Sequence, residues 1–306
     1  MKQIKIANTD ITHASEISLG CMRIAGMSNP EIATLINTAL NAGINFFDHA
    51  DIYGGGKSEA KFAEALGMNA RLREQMILQT KCGIRQGYFD FSKEHILEAV
   101  DGSLKRLQTE YIDVLLLHRP DTLVEPEEVA EAFTILQDSG KVRNFGVSNQ
   151  NPMQIELLKK FVRQPLVINQ LQFSITNTGM IDAGINVNME IDASIDRDGS
   201  ILDYCRLNDI TIQPWSPFQY GFFQGVFLDN EKFPELNAKI NALAAEKGVT
   251  NTAIAIAWIL RHPARMQPIV GTTSPQRVKD VCKASDITLT RPEWYEIYRA
   301  AGNKLP

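Results

Sequence analysis

The chain has 306 residues, 44% hydrophobic and 22% charged, a globular balance with enough apolar side chains for a large core. Thirty-one Lys and Arg face 36 Asp and Glu, a formal net charge of -5, so no basic field exists to attract nucleic acid or an anionic membrane. Four scattered cysteines (Cys21, Cys82, Cys205, Cys282) without a Cys-x-x-Cys pair argue against a zinc ribbon or a disulfide scaffold, and the N-terminus lacks a signal peptide's apolar segment, so a cytoplasmic location is expected.

Taken in chain order, "KQIKIANTDI" reads as a β-hairpin able to plug a barrel floor. Short apolar or β-rich runs follow at 17–22, 45–50, 76–82, 112–119, 144–149, 168–173, 211–217 and 267–272. Helix signals lie between them. "NPEIATLINTALNAG" offers Asn29 as cap, Pro30 in the first turn and Gly43 as stop; a second helix starts at Ser92 and a third closes at Gly140. Eight strand-then-helix units predict an α/β fold of the (β/α)8 TIM-barrel type, residues 1–306 forming one domain with no linker. "RPEWYEIYRAA" (291–301) adds an extra C-terminal helix. The longest apolar stretch, at 253–260, falls well short of the roughly 18 residues of a membrane span. Two long connections, 174–200 and 218–233, are candidates for binding, because loops on the C-terminal face of a barrel carry function.

"FDHADIYGGGKSE" (47–59) raises the question of a phosphate loop. A Walker A pattern ending at Gly56-Lys57-Ser58 requires glycine where Asp51 stands, and a dinucleotide fingerprint begun at Gly54 requires glycine where Glu59 stands. Both fail. The glycines read instead as a turn into the helix "KSEAKFAEALG", with Ser58 as its cap.

Ionisable residues end successive runs: Asp48 the second, Lys81 the third and His118 the fourth, with Tyr53 five residues beyond Asp48. Singly, each has an ordinary structural explanation: a cap, a solvated charge, a core histidine, a packed ring. Together they mark the barrel mouth where active sites form. Their chemistry suits carbonyl reduction. Hydride arriving at the carbonyl carbon leaves charge on oxygen, which needs a proton donor. A tyrosine, with a pKa near about 10, donates more readily beside an ammonium that stabilises its phenolate. Tyr53 is then the general acid, Lys81 its electrostatic partner, Asp48 the group that holds Lys81, and His118 the group that orients the carbonyl oxygen. Cys82 reads as a small buried hydrophobe, His49 as packed outside the barrel, and Phe218, Tyr220 and Phe222 as walls of a substrate pocket.

From "SLGCMR" to "RVKDV" the chain resembles the aldo-keto reductases. The resemblance is carried by "FDHADIYGGGKSE", "LQTKCG", "DVLLLHRPD", "GKVRNFGVSN" and "NQLQF" in this order. It implies an Asp-Tyr-Lys-His tetrad at Asp48, Tyr53, Lys81 and His118, and reduction of an aldehyde or ketone by direct hydride transfer from NAD(P)H. It also implies that Ser148, Asn149 and Gln170 hold the nicotinamide carboxamide, with Asp48 contributing. Trp215 stacks on the ring where tyrosine is the more familiar occupant, and Ser216, Pro217 and Phe218 continue the wall. Met22 and Arg23 approach the cofactor from the first-strand loop, while Gly271, Thr272, Thr273, Ser274 and Arg277 receive its adenosine phosphate end. A helix N-terminus there suits an anion. NADPH is preferred over NADH because Arg277 can meet a 2'-phosphate, although the basic residue some relatives carry near 272 or 273 is absent.

Two other readings stay open: a scaffold or regulatory subunit that binds nicotinamide with little turnover, and a metal-dependent barrel hydrolase. The second lacks clustered ligands, since only His118 of five histidines ends a strand and no His-x-His pair occurs, so no metal is expected. The expected partner is a small carbonyl compound, its identity set by loops at 23–28, 84–91, 174–200 and 218–233; oligomeric state leaves no readable mark.

Overall fold

Eight parallel strands make one sheet in the computed structural model, which describes residues 1–306. They are β1 (Ser18–Gly20), β2 (Phe46–Asp48), β3 (Ile77–Cys82), β4 (Ile112–Leu117), β5 (Val142–Ser148), β6 (Leu166–Gln172), β7 (Thr211–Trp215) and β8 (Ile269–Val270). Each strand pairs with the next from β1 to β7, and β8 returns to pair with β1. The gap between β7 and β8 is bridged where the Gln267 backbone N–H donates to Ile212 O at 2.9 Å. All eight sequence runs thus carry a strand of a (β/α)8 barrel, with ends displaced by no more than two residues.

Alternation along the strands sorts side chains into two layers. On β3, Leu78 and Cys82 face the helices, while Gln79 and Lys81 point into the barrel and bond one another's partners there. The main core lies between sheet and helices, with Phe145 stacked on Phe133 at 4.1 Å as one contact. A second, smaller core fills the barrel floor. There Ile6, Ile11 and Ala14 from the N-terminal hairpin (Gln3–Ile4 paired with Ala14–Ser15) meet Phe46, Val114, Leu116 and Ile168 from the strands. The hairpin therefore plugs the floor, as its alternating sequence suggests.

One helix boundary is set by a group other than the one the sequence pointed to. The helix Asn29–Asn41 is capped by Ser28, not Asn29, because Ser28 N–H and Oγ both donate to the Glu31 carboxylate at 2.8 and 2.7 Å. The C-terminal helix Arg291–Ala300 is present and fastened to Asn251–Leu260: Trp258 and Trp294 stack at 4.7 Å, each donating its indole N–H to the other's backbone oxygen at 3.0 Å. Residues 174–200 hold a short helix, Gly179–Ile185, tied to the chain end by a hydrogen bond from Tyr298 Oη to Asp182 at 2.7 Å. No helix is long and apolar enough to cross a membrane.

Candidate active site

An elongated cleft of about 990 Å³ opens over the C-terminal ends of the strands. Its geometry begins with the glycine run. Gly54, Gly55 and Gly56 hold φ of +60°, +65° and +85°, three successive left-handed residues that side chains with a Cβ resist. At Gly54 a Cβ would lie 2.5 Å from Ala25 Cβ. The run turns the chain sharply after Tyr53 and starts the helix Lys57–Leu66 with Gly56 itself at the cap position. Ser58 is not the cap; it sits in the first turn and donates to Met22 O at 3.3 Å. Glu59 is buried and accepts from Thr80 Oγ1 at 2.6 Å and Arg106 Nε at 2.7 Å, which anchors the helix against β3.

This turn brings Tyr53 back over the barrel. Lys81 Nζ lies 3.0 Å from Tyr53 Oη, 2.8 and 2.9 Å from the two Asp48 oxygens, and 2.7 Å from His49 O. The His118 ring meets Tyr53 edge-on at 6.0 Å. All four strand-end residues are therefore brought together, with Tyr53 and His118 on the cleft wall and Lys81 fully buried behind them.

Burial raises the Tyr53 pKa above its usual value, Lys81 pulling it down and Asp48 pushing it up. The lysine therefore moderates the phenol's acidity without making it a phenolate, which corrects the expectation that its charge dominates. Burial works to lower the Lys81 pKa, but Asp48 and Tyr53 raise it by more, so the amine stays cationic. His118 is held well below the usual histidine range by burial, then by Lys81 and Arg119, and is neutral at pH 7.

Beneath the tetrad runs a chain of buried side-chain amides that strand-end reasoning missed. Gln79 Nε2 donates to Asp48 Oδ1 at 2.6 Å and to Gln213 Oε1 at 2.8 Å; Gln170 Nε2 reaches the same two oxygens at 3.0 and 3.2 Å. Gln213 donates to Gln267 at 2.8 Å, and Gln267 to Ser15 O at 2.7 Å. The available signal was spacing: Gln79 and Gln213 lie two residues before Lys81 and Trp215 and so share their inward face.

Along the cleft, Met22 and Arg23 from the first-strand loop, then Ser148, Asn149 and Gln170, then Trp215 through Phe218, line one continuous wall. Asn149 donates to Ser148 Oγ at 2.7 Å and accepts from Trp215 Nε1 at 3.0 Å. Asn149 and Ser216 both have left-handed backbones, φ +56° and +54°, at the ends of β5 and β7. At the far end Gly271, Thr272 and Arg277 line the cleft, whereas Thr273 and Ser274 do not. Ser274 instead caps the helix Pro275–Cys282, accepting from Arg277 N at 3.4 Å.

Of the loop aromatics, Phe218 and Phe222 line the cleft and Tyr220 does not: its ring packs on Phe233 and its hydroxyl meets Lys232 at 3.2 Å. A short hairpin, Gln219–Tyr220 with Gly225–Val226, fixes this split and places Phe223 near-parallel to Trp215 at 6.0 Å. No residue of 174–200 lines the cleft, whereas the loop 218–233 supplies Phe218, Phe222, Phe223 and Leu228 to it. His49 packs outside the barrel against Phe62 at 4.6 Å, and Cys82 is buried.

An eight-stranded parallel barrel with a Tyr-Lys-Asp-His group at its C-terminal mouth, beside a cleft of about 990 Å³ that runs from that group to Arg277, is the architecture of a barrel oxidoreductase. The chain belongs to the aldo/keto reductase family, whose model matches residues 16–301. It is 36% identical to the oxidoreductase YcsN of Bacillus subtilis, over 91% of each chain. It is 33% identical to a 6-dehydroglucose reductase of Agrobacterium fabrum, over 98% of each. An aldo-keto reductase from Klebsiella pneumoniae, solved in complex with NADPH, superimposes with a TM-score of 0.78 at 22% identity, covering 98% of this chain and 95% of that one.

Proposed function

We propose that the protein reduces an aldehyde or ketone to the alcohol with NADPH in the cytoplasm, residues 1–306 acting as one domain, and that Tyr53 is the proton donor. The observation that carries this reading is the 3.0 Å contact between Tyr53 Oη and Lys81 Nζ on a lysine clamped by both oxygens of Asp48.

The residues present fit a nicotinamide dinucleotide. Gln170 commits its side-chain Nε2 to Asp48 and Gln213, and its side-chain Oε1 accepts from no protein group while the residue lines the cleft; that oxygen suits a carboxamide N–H. Trp215 lines the same cleft, its indole N–H donating to Asn149 at 3.0 Å. Arg277, whose side chain forms no ion pair, lines the far end of the cleft from the first turn of the helix Pro275–Cys282, and its guanidinium suits a charge-assisted contact to a 2'-phosphate. When bound, the cofactor supplies the hydride.

The protein's part is proton delivery and orientation. Tyr53, raised above its ordinary pKa, carries its proton at neutral pH and passes it to the carbonyl oxygen as negative charge gathers there. Lys81 stabilises the phenolate left behind, and Asp48 fixes the amine in that position. His118 is neutral, and its Nδ1 is buried without a partner, so its N–H is directed from Nε2 at the carbonyl oxygen. One hydride on carbon and one proton on oxygen complete the alcohol.

Titration with NADPH and with NADH, followed by a panel of small aldehydes and ketones with whichever binds, is the test. The expected result is tighter binding of NADPH, cofactor oxidation that depends on the carbonyl, and a loss of about 10²- to 10⁴-fold in kcat for Tyr53→Phe with cofactor affinity kept. Full turnover in Tyr53→Phe removes the tyrosine from the mechanism, and tighter NADH binding removes the NADPH preference.

A further inference from the structure

Four arginines of this protein are buried or half-buried: Arg73, Arg106, Arg119 and Arg261. Three have fixed partners. Arg73 bonds Asp113, Thr109 and two backbone oxygens; Arg106 bonds Glu59 and Ser103; Arg261 bonds Leu289 O. Arg119 alone forms no hydrogen bond and no ion pair. It follows His118 at the end of β4, lines the cleft, and holds its guanidinium 5.6 Å from the centre of the Trp215 ring. Phe222 and Phe223 pack on the same indole, and Ile52 and Ile84 line the same cleft.

A cation half-withdrawn from water loses hydration that, among the protein groups around it, only the neighbouring indole offsets. The five N–H groups of a guanidinium form a planar fork matched to a carboxylate or phosphate, and here all are uncommitted. From these observations we infer that Arg119 selects a carbonyl substrate carrying an oxyanion, so that an oxo acid or a phosphorylated aldehyde is taken in preference to its uncharged counterpart. The anion seats on the fork beside Trp215 while the carbonyl oxygen lies between Tyr53 and His118. This inference rests on the reductase reading of the same cleft, and it narrows the substrate to an anionic class. Carboxylate suits the site best, because two parallel N–H groups on one planar face meet its two oxygens.

Matched pairs test it. The ratio of kcat/KM is measured for 4-oxobutanoate against butanal, and for glycolaldehyde phosphate against glycolaldehyde, with the cofactor that binds. The anionic member is expected to be favoured by about 10- to 100-fold, the range of a charge-assisted hydrogen bond, mainly through KM and more strongly in the carboxylate pair. In Arg119→Gln both ratios fall toward one, and in Arg119→Lys part of the preference returns. Ratios near one in the wild type, or ratios that Arg119→Gln leaves unchanged, overturn the inference. Butyrate, which has the anion and no reducible carbonyl, gives a reading independent of turnover. Titrated into the protein with and without NADPH and followed by tryptophan fluorescence, it should bind at least about tenfold more weakly to Arg119→Gln. Equal affinity of the two proteins overturns the anion site. Arg119-dependent binding in a protein that turns over no carbonyl leaves the site standing and sinks the reductase reading.

Discussion

One oxygen of Asp48 receives Lys81, Gln79 and Gln170 at 2.8, 2.6 and 3.0 Å, so the carboxylate is fixed by two neutral amides as well as by the cation. A buried carboxylate held only by an ammonium could swing with it; amides arriving from β3 and β6 pin its plane to the sheet. Gln79→Met, which keeps the length of the side chain and removes its donor, should destabilise the fold by about 1–3 kcal/mol in urea unfolding, the cost of an oxygen left short of a bond. It should also lower kcat more than it raises KM, since a looser Asp48 lets Lys81 drift from Tyr53. Unchanged stability together with unchanged kcat would show that Lys81 and Gln170 suffice. Asp48, Lys81 and His118 were readable in the sequence because an ionisable residue at the end of an apolar run is conspicuous, and Tyr53 because it follows Asp48 on the loop above the same strand. Gln79 was not, because a mid-strand amide gains meaning only from residues on other strands, and those pairings span 134 positions in the bond to Gln213.

At the scale of elements, the loop from β2 to the helix Lys57–Leu66 does for Tyr53 what the amides do for Asp48. Gly54 and Gly55 have nearly the same φ, yet their surroundings differ. A Cβ on Gly54 would strike Ala25 Cβ at 2.5 Å, in the 3-10 turn Ile24–Gly26, while one on Gly55 meets nothing within 4 Å. Gly55→Ala should therefore cost only the left-handed backbone penalty, about 1–2 kcal/mol, and keep its turnover. Gly54→Ala must move either the turn or Ala25, so it should lose activity by displacing Tyr53 from Lys81 even where the protein still folds. Equal activity in the two variants would mean that Tyr53 is positioned by its own hydrogen bond and not by the turn. The motif arithmetic ruled out a phosphate loop from the sequence, but the loop aromatics show where such reading stops. Phe218 and Phe222 reach the cleft and Tyr220 turns away because residues 219–220 and 225–226 pair as a hairpin, and no strong β-run announced that pairing.

Across the whole molecule, acid sensitivity follows from where the barrel hides its histidines. His49, His95, His118 and His262 all sit below the ordinary histidine pKa, with burial the leading cause for each; His49 reaches about 3 and His262 about 4. A histidine whose folded pKa is depressed takes up its proton first in the unfolded chain. Its contribution to stability is complete above the unfolded value of about 6.5 and is lost as pH falls toward the folded one. Asp51 opposes this on the other side of neutrality: burial and then Glu59 raise it to about 7, so it costs stability as pH climbs from its unfolded value through that point. His49 isolates the acid effect, because it is fully buried in the layer between sheet and helix and neither ring nitrogen has a partner. His49→Leu gives up no hydrogen bond and keeps an apolar group of similar size against Phe62. Its Tm should therefore match or slightly exceed the wild type at pH 8, and the difference in its favour should grow steadily between pH 6.5 and 4. A difference that stays flat over that interval would place the acid limb in the carboxylate pairs, beginning with Lys247–Glu293 at 2.6 Å, whose carboxyl the lysine holds down at about 2, and not in the buried imidazoles.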